Sequence, residues 1–359
     1  MLNWLLIFVP AAVVLELVRP EWHTAIFLVS CMAIIPLAGW LGRATEQLAH
    51  HTGDGIGGLL NATFGNAAEL IIAIAAIRKG LYPVVKASLT GSILGNILLV
   101  LGGAVLAGGV KYKRQHFNVT AARAQSTLLT LAAIALIMPA AFHFLAGPAA
   151  RVKEADLSTE ISVVLLAAYA MHLLFSLWTH KQLFEGTEEA ARKRGHEKPW
   201  TVKKALAALI LSTGMIAWIS EILVGSVEPA AAALGMTRIF IGVIVVAIVG
   251  NAAEHSTAVL MAMHNRMELS LGIAIGSSLQ IALFVAPVLV LLSRVIGPSP
   301  MDLVFTPAEV LAVFVAVLIT GQITSDGESN WLEGVQLLAV YLILAMVFYF
   351  LPESIEPAH

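Results

Sequence analysis

Charge is scarce in this chain. Asp, Glu, Lys and Arg make up 12% of its 359 residues, against about 25% in an average soluble domain. Hydrophobic residues make up 58%, and the mean hydropathy is +0.86. That balance excludes an ordinary soluble domain and describes a chain that crosses a membrane many times. A net charge of -2 gives no electrostatic basis for binding nucleic acid. The one cysteine, Cys31, excludes an intramolecular disulfide and a cysteine cluster for zinc or iron–sulfur, and reads as a small apolar packer. No His-Glu-x-x-His occurs, so an intramembrane zinc protease lacks its motif. No Walker or Asp-phosphorylation motif is apparent, which disfavours a primary pump, and no nucleophile–base set supports an enzyme. The first residues, Met1-Leu2-Asn3-Trp4, lack the basic stretch of a secretory signal, so they read as a retained first span.

What is present is long apolar runs. A helix needs about 20 apolar residues to cross a bilayer. On that rule the chain is expected to be an all-α polytopic membrane protein of eleven transmembrane helices. They fall near 2–18, 22–48, 56–78, 82–108, 118–142, 159–183, 202–226, 237–263, 268–293, 304–322 and 331–351. Lys and Arg favour one side, chiefly through Lys181, Arg192, Lys193, Arg194 and Lys198 in the longest hydrophilic stretch. That bias puts the N-terminus in the cytoplasm and the C-terminus outside, in a membrane read as the cell membrane of a prokaryote.

Gly65-Asn66-Ala67-Ala68-Glu69 recurs as Gly250-Asn251-Ala252-Ala253-Glu254, 185 residues later, each copy inside an apolar run. The same offset aligns Gly91-Ser92 and Leu94 with Gly276-Ser277 and Leu279. Spans two to six and seven to eleven are five each, so the second set runs inverted relative to the first. This gives an isolated first helix (1–20), a first repeat (21–184), a cytoplasmic linker (185–200) and a second repeat (201–359). Inverted repeats recur in secondary transporters, with the ion site near mid-membrane at their interface.

A carboxylate at bilayer depth is costly and therefore a candidate functional group. Glu69 and Glu254 are expected to meet there as the ion- and proton-binding pair, flanked by Asn66 and Asn251 one turn before them. Ser92 and Ser277 read equally as ligands or as back-bonded to their own helices. Asn96 and Gln280 follow those serines as candidate site-lining groups. His255 reads equally as a tuning group for Glu254 or as a packing histidine. Two carboxylates with amide and hydroxyl oxygens form a hard ligand set that suits calcium, which takes 6–8 oxygens. One calcium or two protons neutralise the pair, so the two compete for the same oxygens. Sodium- or potassium-coupled exchange, monovalent cation/proton exchange, or a calcium-permeable channel remain open. Lys86 is expected to snorkel at the outer end of its span, and His50 and His51 to lie in a loop.

At these residues the chain resembles the calcium/proton antiporters of the cation-exchanger family, within the calcium/cation antiporter superfamily. The likeness rests on Asn61 to Leu70, Gly250 to His255, Gly276 to Leu283, and the tail Asp326 to Gly334. It implies that Glu69 and Glu254 carry calcium and protons with no cofactor. It also implies that Glu46 lies near the cytoplasmic mouth, and Glu221, its repeat partner, is grouped with it as an entry residue. Many relatives carry an acidic helix between spans six and seven; here Glu185, Glu188 and Glu189 are diluted by basic residues.

Overall fold

The computed structural model describes residues 3–52, 54–147, 151–183 and 200–352. The expected linker (185–200) therefore lies outside the described residues except for Trp200. In chain order the helices are α1 (Asn3–Val18), α2 (His23–Thr52), α3 (Asp54–Phe64), α4 (Ala67–Arg78), α5 (Tyr82–Lys111) and α6 (Val119–Ala146). They continue as α7 (Val152–Thr179), α8 (Val202–Leu234), α9 (Arg238–Met263), α10 (Met267–Ile296), α11 (Pro307–Ile323) and α12 (Trp331–Phe350). Two short strands, β1 (Gln115–His116) and β2 (Glu328–Ser329), pair antiparallel.

Among the described residues, seven helices are long and apolar enough to cross a membrane, or eight if the bent α9 counts as one span. The remaining expected spans take other forms. The run 56–78 is two helices, α3 and α4, of 11 and 12 residues; at 1.5 Å per residue neither exceeds roughly 18 Å. The first and tenth runs are the shorter apolar helices α1 and α11. His50 and His51 close the last turn of α2 rather than a loop, and His51 Nε2 sits 2.6 Å from the Trp200 carbonyl.

Helices α2 and α8 pack together most extensively, forming the spine of the bundle. In lipid, apolar surface gains little by leaving the tails, so close packing of small residues holds helices together. Gly91 of α5 lies directly against the Val243 backbone of α9, and Gly334 of α12 against the Leu106 backbone of α5. No side chain fits at either position. On the outside, large apolar residues such as Leu145, Val164, Leu211 and Phe350 are exposed, as a lipid-facing surface requires.

Polar contacts collect at the two ends. At one end Gln47 Oε1 accepts from the Trp200 amide (2.8 Å), and Lys111 Nζ and Gln115 Nε2 donate to the last carbonyls of α9 (3.0 and 2.8 Å). At the other end Arg78 meets Glu221, Lys86 meets Asp302, and Arg294 meets Asp156. Lys86 thus pairs with a carboxylate at 2.6 Å rather than snorkelling free.

Candidate functional site

The helix carrying the first motif breaks at Gly65-Asn66, and α4 restarts at Ala67. Glu69 therefore sits in the first turn of a half-helix, where unpaired amides and the positive end of the helix dipole face a carboxylate. The second copy bends too: Arg238–Ala252 and Glu254–Met263 meet at 67°, so Glu254 opens the second half of α9. Repeat-related π-helical turns follow the two serine segments, at Gly95–Val100 and Ile281–Val285. Such turns re-aim side chains and recur at functional sites.

The two halves approach each other glycine to glutamate. A Cβ placed on Gly250 would stand 3.1 Å from Glu69 Oε1, and one on Gly65 would stand 3.7 Å from Glu254 Oε1. Each motif's glycine thus makes room for the carboxylate of the other motif. One oxygen of each carboxylate, Oε2 of Glu69 and Oε2 of Glu254, is buried without a hydrogen-bond partner.

Around this pair the amides and hydroxyls bond across the halves. Asn251 Nδ2 donates to Ser92 Oγ at 3.0 Å, and Ser277 Oγ donates to Asn66 Oδ1 at 2.9 Å. These two contacts are the same repeat-related pair seen from either half. Asn66 Nδ2 also donates to Gln280 Oε1 (2.5 Å), and Asn96 Nδ2 donates to Ser277 Oγ (3.0 Å) and Asn251 Oδ1 (3.4 Å). Asn66, Glu69, Ser92, Asn96, Asn251 and Ser277 are all buried. Both serine hydroxyls take part in contacts between the two motif regions, Ser92 as acceptor and Ser277 as donor. His255 is half-buried beside Glu254, its Nε2 buried without a partner.

The entry residues separate. Glu46 neighbours Gln47, which binds the amide of Trp200 just before α8 begins. Glu221 lies nineteen residues beyond Val202 on α8, roughly 28 Å along its axis. There it meets Arg78 Nη1 at 3.1 Å and Lys79 Nζ at 3.9 Å. Glu221 therefore does not share a mouth with Glu46. The two residues grouped as one entry from the sequence thus lie at opposite ends of the bundle. Glu185, Glu188 and Glu189 lie outside the described residues. Glu309, a buried carboxylate on α11, was missed by sequence reading. Its place in Thr306-Pro307-Ala308-Glu309 has the pattern of a helix N-terminus, which accounts for a Glu locally.

The family model described as sodium/calcium exchanger protein matches the chain twice, over residues 22–178 and 204–350. The chain is 47% identical over 348 residues to a Ca(2+)/H(+) antiporter of Synechocystis sp., covering 92% of each. It is 47% identical to the Ca(2+)/H(+) antiporter ChaA of Bacillus subtilis, covering 96% of this chain and 97% of that one. Among solved structures, native YfkE superposes with a TM-score of 0.81 at 44% identity, over 97% of this chain and all of that one.

Proposed function

The chain belongs to the sodium/calcium exchanger protein family, and from that premise we propose that it is a secondary antiporter exchanging cytoplasmic calcium for external protons. Eleven crossings are proposed: the long helices, the broken pair α3–α4, and the shorter α1 and α11. The N-terminus is cytoplasmic, so the end marked by Trp200 and Lys111 faces the cytoplasm and the end marked by Glu221 and Lys86 faces outside. The halves 21–184 and 201–359 are inverted copies, a reading supported by the double match of the family model.

The observation that carries this reading is the reciprocal approach of Glu69 to Gly250 and Glu254 to Gly65, with one unpartnered oxygen on each carboxylate. Two buried negative charges at mid-membrane call for neutralisation. One calcium supplies two charges at once, and its flexible shell accepts oxygens from carboxylates, amides, hydroxyls and water. Two protons supply the same charge one oxygen at a time. Neither occupant leaves room for the other, so transport in one direction is coupled to transport in the other. Broken helices let each half present its site residues while rocking against its partner. The names of the similar proteins point to the same pair of ions.

The deciding experiment is calcium uptake into proteoliposomes under an imposed pH gradient, with sodium and potassium varied. The expected result is uptake that follows the pH gradient and ignores both monovalent ions. Uptake driven by a sodium or potassium gradient at constant pH would replace protons with those ions. Uptake that needs no counter-gradient would make the protein a channel.

A further inference from the structure

Glu309 is 2% exposed on α11, a depth the capping pattern around it does not require. Its Oε2 accepts from the Thr306 amide (2.9 Å) and the Thr306 hydroxyl (2.7 Å), closing the box at the helix start. Its Oε1 accepts from the Thr90 hydroxyl of α5 at 3.2 Å. A capping glutamate at a helix surface makes the first two bonds without a second helix. Here the carboxylate is buried against α5. Thr90 is two residues from Ser92 of the central network, about 3 Å along the helix axis. One turn toward the external end, Lys86 Nζ binds Asp302 Oδ1 (2.6 Å) and the Val304 carbonyl (2.9 Å).

The donor count limits what Glu309 can hold. A carboxylate offers about four lone-pair positions, and three here are taken by Thr306 and Thr90. A divalent cation needs a shell of oxygens and would face the Lys86 charge; a proton needs one position. The other helices packed on α11 carry Arg123 and His143 on α6 and Glu333, Tyr341 and Tyr349 on α12. Of these, His143 is paired with Glu154 at 2.7 Å. Lys86, with its partner Asp302, is the charged group beside Glu309.

We propose that Glu309 is a proton-carrying station between the external end and the central pair, a reading that rests on the proton-coupled function above. A proton leaves a hydronium of the external solution, forms an O–H bond on the Glu309 carboxylate, and is released inward toward Glu69 and Glu254. Only O–H bonds form and break. Calcium does not pass through this position.

The test is exchange by the purified full chain in proteoliposomes, with external pH varied at fixed cytoplasmic pH and calcium. Glu309→Gln keeps the box closed through its single amide oxygen, and its NH2 then donates to the Thr90 hydroxyl, which turns from donor to acceptor. It is expected to lower the slope of log rate against external pH by about one proton, with the cytoplasmic calcium half-saturation as in the parent protein. An unchanged slope would overturn the proposal and leave Glu309 as a cap. If Glu309→Gln is not recovered folded, Thr90→Val decides, because it leaves the Thr306 bonds intact. The same flattening, restored by Thr90→Ser, supports the station, and an unchanged slope rejects it. A parent protein with no proton-coupled uptake would remove the antiporter reading itself, which distinguishes that failure from this one.

Discussion

The carboxylate of Glu69 rests against Gly250, so close that a methyl group on that glycine would stand 3.1 Å from Oε1. The contact joins the first half's charge to the second half's backbone and sets how near the two carboxylates come. Gly250→Ala should therefore displace Glu69. Overpacking of this kind costs on the order of 1–3 kcal/mol, enough to raise the calcium half-saturation roughly tenfold. Gly276→Ala is the control, since nothing lies within 4 Å of a Cβ there. Calcium uptake in proteoliposomes checks both, and equal behaviour of the two variants would refute the argument.

Glu69→Gln and Glu254→Gln keep side-chain size and each delete one titratable charge. Either should abolish coupled exchange in folded protein, because one remaining carboxylate no longer matches two protons to one calcium. In the parent protein, acidification should raise the apparent calcium dissociation constant with little change in maximal binding. The sign follows from competition: protons occupy the oxygens that calcium requires. Isothermal binding at stepped pH measures this, and pH-dependent transport surviving in either variant would place the protons elsewhere.

Asn66→Ala removes the acceptor of Ser277 and the donor to Gln280, and Asn251→Ala removes the donor to Ser92. Leaving a buried polar group unsatisfied costs about 1–3 kcal/mol. Each variant should weaken calcium binding about tenfold while retaining its response to pH, since no titratable charge is lost. Loss of the pH response in either would show that the amide participates in proton binding.

Glu46→Gln should raise the half-saturating cytoplasmic calcium and leave exchange intact at saturating calcium, because a mouth carboxylate concentrates ions rather than completing the site. Glu221→Gln acts at the other end, where its contacts are Arg78 and Lys79. It should leave cytoplasmic half-saturation unchanged. A shift of equal size in both would mean that the two residues share a mouth after all.

Cysteine scanning in the Cys31→Ala background tests sidedness. Lys113 and Lys153 are exposed and lie at opposite ends of the bundle. A membrane-impermeant thiol reagent added outside should label Lys153→Cys and spare Lys113→Cys; the reverse pattern would invert the topology.

Some of this was written in the chain. The duplicated Gly-Asn-Ala-Ala-Glu at one offset marks two related elements, because a carboxylate inside an apolar run is too costly to recur without cause. Ser92 and Ser277 follow from the same offset, and Asn96 and Gln280 lie four and three residues beyond them. The break at Gly65-Asn66 was not legible: hydropathy averages over 56–78 and does not register where the backbone stops bonding to itself. The grouping of Glu221 with Glu46 rested on repeat equivalence alone; the contacts of Glu221 with Arg78 and Lys79 put it at the end of the bundle away from Trp200.

The sequence by itself determined that this is a multi-span membrane protein with a duplicated motif that puts one carboxylate in each of two apolar runs, because hydropathy and residue identity are local properties. Only the tertiary structure decided that Asn66 binds Ser277 and Gln280, that Asn251 binds Ser92, that Glu69 lies on Gly250, and that Glu309 is buried against Thr90. Those partners are 159 to 219 residues apart in the chain. Their meeting depends on how distant helices pack through glycine contacts, and packing is a property of pairs of surfaces that no single segment encodes.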